Sequence, residues 1–127
     1  MSGVFAWPLI FGGDIVRIYI ANAFSLQMIQ SAAAKIAVSK VTAEYVKEYL
    51  YGRWAEVVSA IGHADTARVV AGLLESDRVT ANRINVALQP NDLLVVAQVT
   101  GGRLPEGATE LPEGVSLQFY FVRLEME

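Results

Sequence analysis

Residues 92–99, DLLVVAQV, are apolar at successive positions rather than at every second one. A strand with one solvated face alternates, whereas a strand apolar on both faces needs cover on both. The run therefore reads as a central strand, and the rest of the chain must supply its neighbours and its layers.

The flanking segments fit that role. In IVRIYIA (15–21), Val16, Ile18 and Ile20 alternate with Ile15, Arg17 and Tyr19, which predicts a strand with one strongly apolar face. Asn22 or Ser25 is placed to cap a short helix within 22–34. KIAVSKV (35–41) reads as a short strand, and Thr42 caps a following helix AEYVKEYLY that Gly52 stops. Residues 54–62 read as a short strand plus loop. HADTARVVAGLLE (63–75) is helical, with Val70, Leu73 and Leu74 on its buried side. NRINVALQ (82–89) sets Ile84, Val86 and Leu88 against Arg83, Asn85 and Ala87, and Pro90-Asn91-Asp92 reads as a turn. The expectation is an antiparallel hairpin between 82–89 and 92–99. A Gly/Pro-rich loop fills 100–114, and VSLQFYFVR (115–123) is a last strand with Val115, Leu117, Phe119 and Phe121 on one face. The expected fold is a single small α/β domain over 15–127, a mixed sheet of about five strands with flanking helices.

Composition narrows the chemistry. The 127 residues suit one domain with a real core, and 54% of them are hydrophobic, too many for a disordered segment. No cysteine is present, so a disulfide scaffold, a thiolate zinc site and a cysteine nucleophile are out. With one histidine, a metal cage would need carboxylates almost throughout, and no metal site is expected. An isoelectric point near 5.1 argues against a duplex nucleic-acid binder. The acidity sits in the last quarter, where Glu106, Glu110, Glu113, Glu125 and Glu127 face one base, Arg123. The rest is near neutral, so a local anion site is open there. Residues 1–14 form an apolar extension that Pro8 and Gly12-Gly13 interrupt. It lacks the basic start of a secretory signal and is too short to span a bilayer, so a cytoplasmic, membrane-free location is expected.

His63 is the only imidazole, set beside Gly62 where a loop enters a helix. It reads either as a surface or capping residue or as a proton donor beside a helix N-terminus, whose free N–H groups attract phosphate. Arg83 and Arg103 read as solvated charges or as planar anion-recognition groups. The repeated turn LPEG-ATE-LPEG carries Glu106, Glu110 and Glu113, of which Glu110 and Glu113 read as solvated carboxylates in two similar turns. Neither GxxxxGK[ST] nor GxGxxG occurs, so a nucleotide site of those kinds is absent.

Four segments in order, YIANAFS (19–25), AIGH (60–63) before a helix, NRINV (82–86), and RLPEG followed by LQFYFV (103–122), resemble the viral ring nuclease family. These are small proteins of archaeal viruses, phages and bacterial elements that act as anti-CRISPRs against type III systems. The resemblance implies a homodimer that encloses cyclic tetra-adenylate and cuts it, without metal or cofactor, to linear di-adenylates ending in a 2′,3′-cyclic phosphate. It matches His63 to the catalytic histidine and Glu106 to the loop glutamate, which would accept the 2′-OH proton or orient the ribose. Arg103 and Arg83 match ligand-contacting arginines, Asn22 and Ser25 match polar residues lining the site, and Gln98 falls at a further contact position. The chain departs from the family pattern in its short Pro/Gly-rich loop after Glu106 and in the extension 1–14. Two other functions fit the composition: a non-catalytic protein that sequesters cyclic nucleotides, and a structural or nucleic-acid-associated accessory protein.

Overall fold

The computed structural model of the chain describes residue 15 and residues 17–125. The expected extension 1–14 and the alternating position Val16 lie outside them. Among the described residues the order is β1 (Arg17–Ala21), a 3₁₀ turn at Leu26–Met28, β2 (Lys35–Val41), α1 (Ala43–Leu50), a 3₁₀ turn at Trp54–Glu56, β3 (Val57–Ser59), α2 (Ala64–Leu74), β4 (Asp92–Thr100) and β5 (Ser116–Glu125).

The strands form one five-stranded sheet in the order β2-β5-β4-β1-β3. Strand β1 pairs in parallel with both β3 and β4, whereas β5 pairs antiparallel with β4 and with β2. The sheet is mixed, as the sequence suggests, but for another reason than the one expected. Residues 82–89 do not form a strand against 92–99. They run outside the sheet, with isolated bridges Ile61↔Ala81 just before the segment and Ile29↔Leu88 within it, both to residues outside the strands. Both edges of β4 are already taken, by β1 and β5, so no hydrogen-bonding row is left for 82–89.

Strand β4 is buried from Asp92 to Ala97, as its composition demands. Its Leu93, Val95 and Ala97 face the side that α1 and α2 cover, where Ile18, Ile20, Phe119 and Phe121 meet Val46, Leu50, Ala67, Val70 and Leu74. Its Leu94 and Val96 face the other side, where Ala21 and Val122 meet Val86 and Leu88 of the extended segment, with Phe24 and Met28 packed against them. One face thus carries helices and the other carries irregular chain. Ile84, set on the same side of the alternation as Val86 and Leu88, is 41% exposed, while those two are buried.

Local chemistry explains the element ends. The Thr42 hydroxyl accepts from the Tyr45 N–H at 3.0 Å, capping α1, and Gly52 takes φ 79° after that helix ends. The Ser25 hydroxyl caps the first 3₁₀ turn by accepting from the Gln27 N–H at 3.2 Å, so Ser25 rather than Asn22 caps this segment. In α2 Val69 and Val70 are buried, while Leu73, expected on the core side, is 37% exposed. The helix closes at Glu75 with φ 55°. The turn before β4 is held by Asp92, whose fully buried carboxylate accepts from the Gln89 N–H at 2.9 Å and from Arg17 Nε at 3.1 Å. Asn91 adopts φ 72° there, the left-handed conformation that asparagine tolerates.

Candidate functional site

Three parallel strands end on the same side of the sheet. Asn22 follows the last residue of β1, His63 follows β3 at the start of α2, and Gln98 lies near the end of β4. The carboxyl ends of parallel strands, beside the strand where the connections diverge, form the natural crevice of an open α/β sheet. Here that strand is β1, which lies between β4 and β3 while its own successor, β2, lies at the far edge.

A cleft of about 500 Å³ opens at this place, lined by Asn22, His63, Thr66, Gln98, Val99, Gly102, Arg103 and Leu104. A second cleft of about 370 Å³ shares Asn22 and His63 with it and adds Gly62, Arg83, Ile84 and Asn85. A third groove of about 430 Å³ shares Ile84 and Asn85 with the second and reaches Ser25, Gln27 and Gln30. The three form a chain of polar depressions with His63 and Asn22 at the first junction.

His63 occupies the N-cap of α2, and its carbonyl accepts from the Ala67 N–H at 3.0 Å. Its side chain makes no capping bond, so the ring remains exposed to the cleft. Asp, Asn, Ser or Thr would satisfy one of the open N–H groups at that position. Thr66, one turn along the same helix, is buried and closes the floor of the first cleft. Its three-residue spacing from His63 on a predicted helix is the one signal in the sequence that points to it.

Arg83 is brought to the site by the extended segment. The Asn82 side-chain amide donates to the Ser59 carbonyl at 2.7 Å, and its backbone N–H donates to the Ile61 carbonyl at 2.8 Å. The Ser59 hydroxyl donates to the Thr80 carbonyl at 2.5 Å. Those bonds fix the next residue, and Arg83 Nε donates to the Gly62 carbonyl at 3.2 Å. Arg103 enters from the opposite side, on the loop after β4. The arrangement presents two guanidinium groups, one imidazole and the N-terminus of an 11-residue helix around neighbouring clefts. An oligophosphate or a phosphodiester suits that donor set.

Not every expected residue joins it. Asn22, His63, Gln98 and Arg103 line one cleft, Arg83 lines its neighbour, and Ser25 lines the third groove. Glu106 is exposed on the 101–114 loop and lines none of the three. Leu104 and Asn85 line clefts too; they lie within the RLPEG and NRINV segments but were not among the residues matched there. Among the described residues no helix is long and apolar enough to cross a membrane.

The model of the STIV B116-like family matches residues 18–119. The chain belongs to the STIV B116-like family. Every candidate position of this B116-like protein, from Asn22 to Glu106, falls within the matched residues. Among solved structures, B116 of Sulfolobus turreted icosahedral virus (STIV) is similar to it with a TM-score of 0.72 and 24% sequence identity, over 85% of this chain and 99% of that one. That likeness establishes a shared fold. No curated protein matches the chain.

Proposed function

We propose that this protein is a metal-independent ring nuclease that binds cyclic tetra-adenylate between two subunits and cuts it to linear di-adenylates with a 2′,3′-cyclic phosphate, thereby switching off type III CRISPR signalling. The observation that carries the reading is the position of His63. The chain's one imidazole stands uncapped and exposed where two clefts meet, with Arg103 lining one and Arg83 the other. The resemblance of the NAFS, IGH, NRINV and RLPEG segments to viral ring nucleases supplies the substrate.

The chemistry needs little beyond these groups. A ribose 2′-oxygen attacks the adjacent phosphorus, the bond to the 5′-oxygen breaks, and the cyclic phosphate forms in the same step. His63 donates the proton that the departing 5′-oxygen needs, because imidazole exchanges protons near neutral pH. Arg103 and the N–H groups at the start of α2 stabilise charge on the phosphoryl oxygens. Asn22 and Gln98 hold the ribose so that attacking oxygen, phosphorus and leaving oxygen fall in line. Glu106, three residues along the same loop as Arg103, accepts the 2′-OH proton or, where it only orients the ribose, leaves that proton to water.

A twofold dimer suits a ring of four like nucleotides, since it offers equivalent sites on opposite sides. An apolar depression of about 240 Å³ on the irregular face of the sheet, lined by Phe24, Val38, Val96, Tyr120 and Val122, also includes Gln98. Gln98 lines the main cleft as well, so a second copy seated on this depression would extend the cleft across the interface. That Glu106 lines none of the three clefts favours a second reading, a protein that binds the ring without turnover.

The deciding experiment mixes the protein with cyclic tetra-adenylate in EDTA and follows products by chromatography, with His63→Ala beside it. Linear di-adenylate from the wild type, with cleavage reduced ~10²-fold or more in the variant, supports the nuclease. An intact ring bound by both proteins supports sequestration, and absence of binding discards both.

A further inference from the structure

The loop between β4 and β5 has a narrow neck. Gly101 and Gly114 hold φ of 86° and 84°, and a Cβ on Gly101 would collide with the Gly114 carbonyl oxygen. Side chains are thus excluded at the point where the two stems pass each other. Gly102, at φ 156°, begins the loop just beyond the neck. Residues Gly102, Arg103 and Leu104 then wall the main cleft, and the chain turns back near Ala108, whose N–H donates to the Pro105 carbonyl at 3.1 Å.

Helix α2 holds this loop at its far end. Arg68 Nη1 donates to the Ala108 carbonyl at 3.2 Å, and the same nitrogen donates to Asp65 Oδ1 at 3.0 Å. The Asp65 carboxylate is only 13% exposed and sits in the first turn of α2, two residues after His63. The guanidinium is therefore aimed by the same helix turn that begins at His63.

We propose that Arg68 is a positioning residue, a latch that fastens the 102–113 loop to α2 and so sets the width of the cleft between Arg103 and His63. Pinched at its neck and free of strand pairing beyond it, the loop swings as a unit, with the neck glycines as the hinge. The Arg68 side chain is 48% exposed, so water readily replaces the Ala108 bond and the loop opens. Closure brings Gly102, Arg103 and Leu104 back over the cleft. Asp65 keeps the guanidinium at the correct angle in both states. The latch itself needs no ligand, while its effect on turnover rests on the ring-nuclease reading.

Amide hydrogen exchange on the full chain tests the latch directly. Arg68→Ala should raise exchange of the Ala108 amide, which bonds the Pro105 carbonyl at the loop tip, by about tenfold while β4 and β5 keep their protection, and Asp65→Asn should give a smaller rise at the same amide. Arg68→Lys, which retains a cationic donor, should restore part of the protection. Unchanged exchange in Arg68→Ala overturns the latch. Kinetics with cyclic tetra-adenylate test its consequence: KM should rise about fivefold in Arg68→Ala with kcat within about twofold of wild type. Faster loop exchange with an unchanged KM would overturn the role in setting the cleft. A wild type that leaves the ring intact would remove the nuclease reading and leave the exchange result standing.

Discussion

Arg83 lies across Gly62, with its Nε donating to the glycine's carbonyl at 3.2 Å and its Cγ 3.2 Å from where a Cβ on Gly62 would stand. Gly62 carries no left-handed φ, and the three atoms nearest a Cβ placed there all belong to the Arg83 side chain. The pair couples the segment outside the sheet to the residue preceding His63.

Gly62→Ala should therefore act through Arg83. The added methyl presses the arginine stem outward by a few tenths of an ångström, which misplaces the guanidinium without opening the core. Titration calorimetry with cyclic tetra-adenylate should show binding weakened by about three- to tenfold, with the urea midpoint nearly unchanged, since surface substitutions typically stay within about 0.5 kcal/mol. Arg83→Ala should weaken binding at least as much. Equal affinity in all three proteins would place the ligand elsewhere.

His63 occupies a capping position without capping. His63→Ser should supply the missing acceptor to the α2 N-terminus and stabilise the protein by about 0.5–1 kcal/mol, read as a raised urea midpoint at constant slope. The same substitution should abolish ring cleavage. A position that gains stability when it loses activity is the behaviour of a functional residue held against local preference, and an unchanged or lowered midpoint would contradict it.

The apolar depression around Val38 should close on a second copy. Val38 is 59% exposed on β2, an edge strand, beside Tyr120 and Val122. Sedimentation should show a dimer for the wild type, and Val38→Lys should shift it toward the monomer by placing a charge in the contact. A wild-type monomer at high micromolar concentration would exclude the dimer.

Tyr45 and Tyr49 pack on the fully buried Phe121, with ring centroids 5.6 and 5.3 Å away, and burial raises the pKa of both phenols. A phenol with a raised folded-state pKa holds its proton longer in the folded than in the unfolded chain. Stability should then be intact below the ordinary tyrosine range of about pH 10 and fall as pH climbs above it. Urea denaturation at pH 8 and pH 11 should show the loss, and Tyr49→Phe should lessen it. Identical pH slopes in the two proteins would remove Tyr49 as the cause.

Much of this architecture was legible because it is written locally. The Thr42 cap, the helix at 64–74 and the doubly apolar β4 each follow from residues within a few positions of one another. Segment 82–89 was misread because alternation reports an extended backbone with one buried side and is silent on whether a sheet edge is free to receive it. Only the pairing of β4 with both β1 and β5 decides that, and those partners lie far away in sequence. The site divides similarly. Asn22, His63 and Gln98 are drawn together by strand ends, and Arg83 and Arg103 by neighbouring segments. Glu106 depends on the course of a glycine-rich loop, which local pattern does not specify, and it lines none of the three clefts.

The strand order also dictates when the sheet can exist. Strands β1 and β2 are separated by only 13 residues of chain, yet in the sheet β4 and β5 lie between them. Both fillers are synthesised after the two strands they separate. A chain growing on the ribosome thus carries the first two described strands before the strands that come between them exist. The sheet can close only after β5 emerges, and until then the apolar faces of β1 and β2 must be shielded by the nascent helices or by a chaperone.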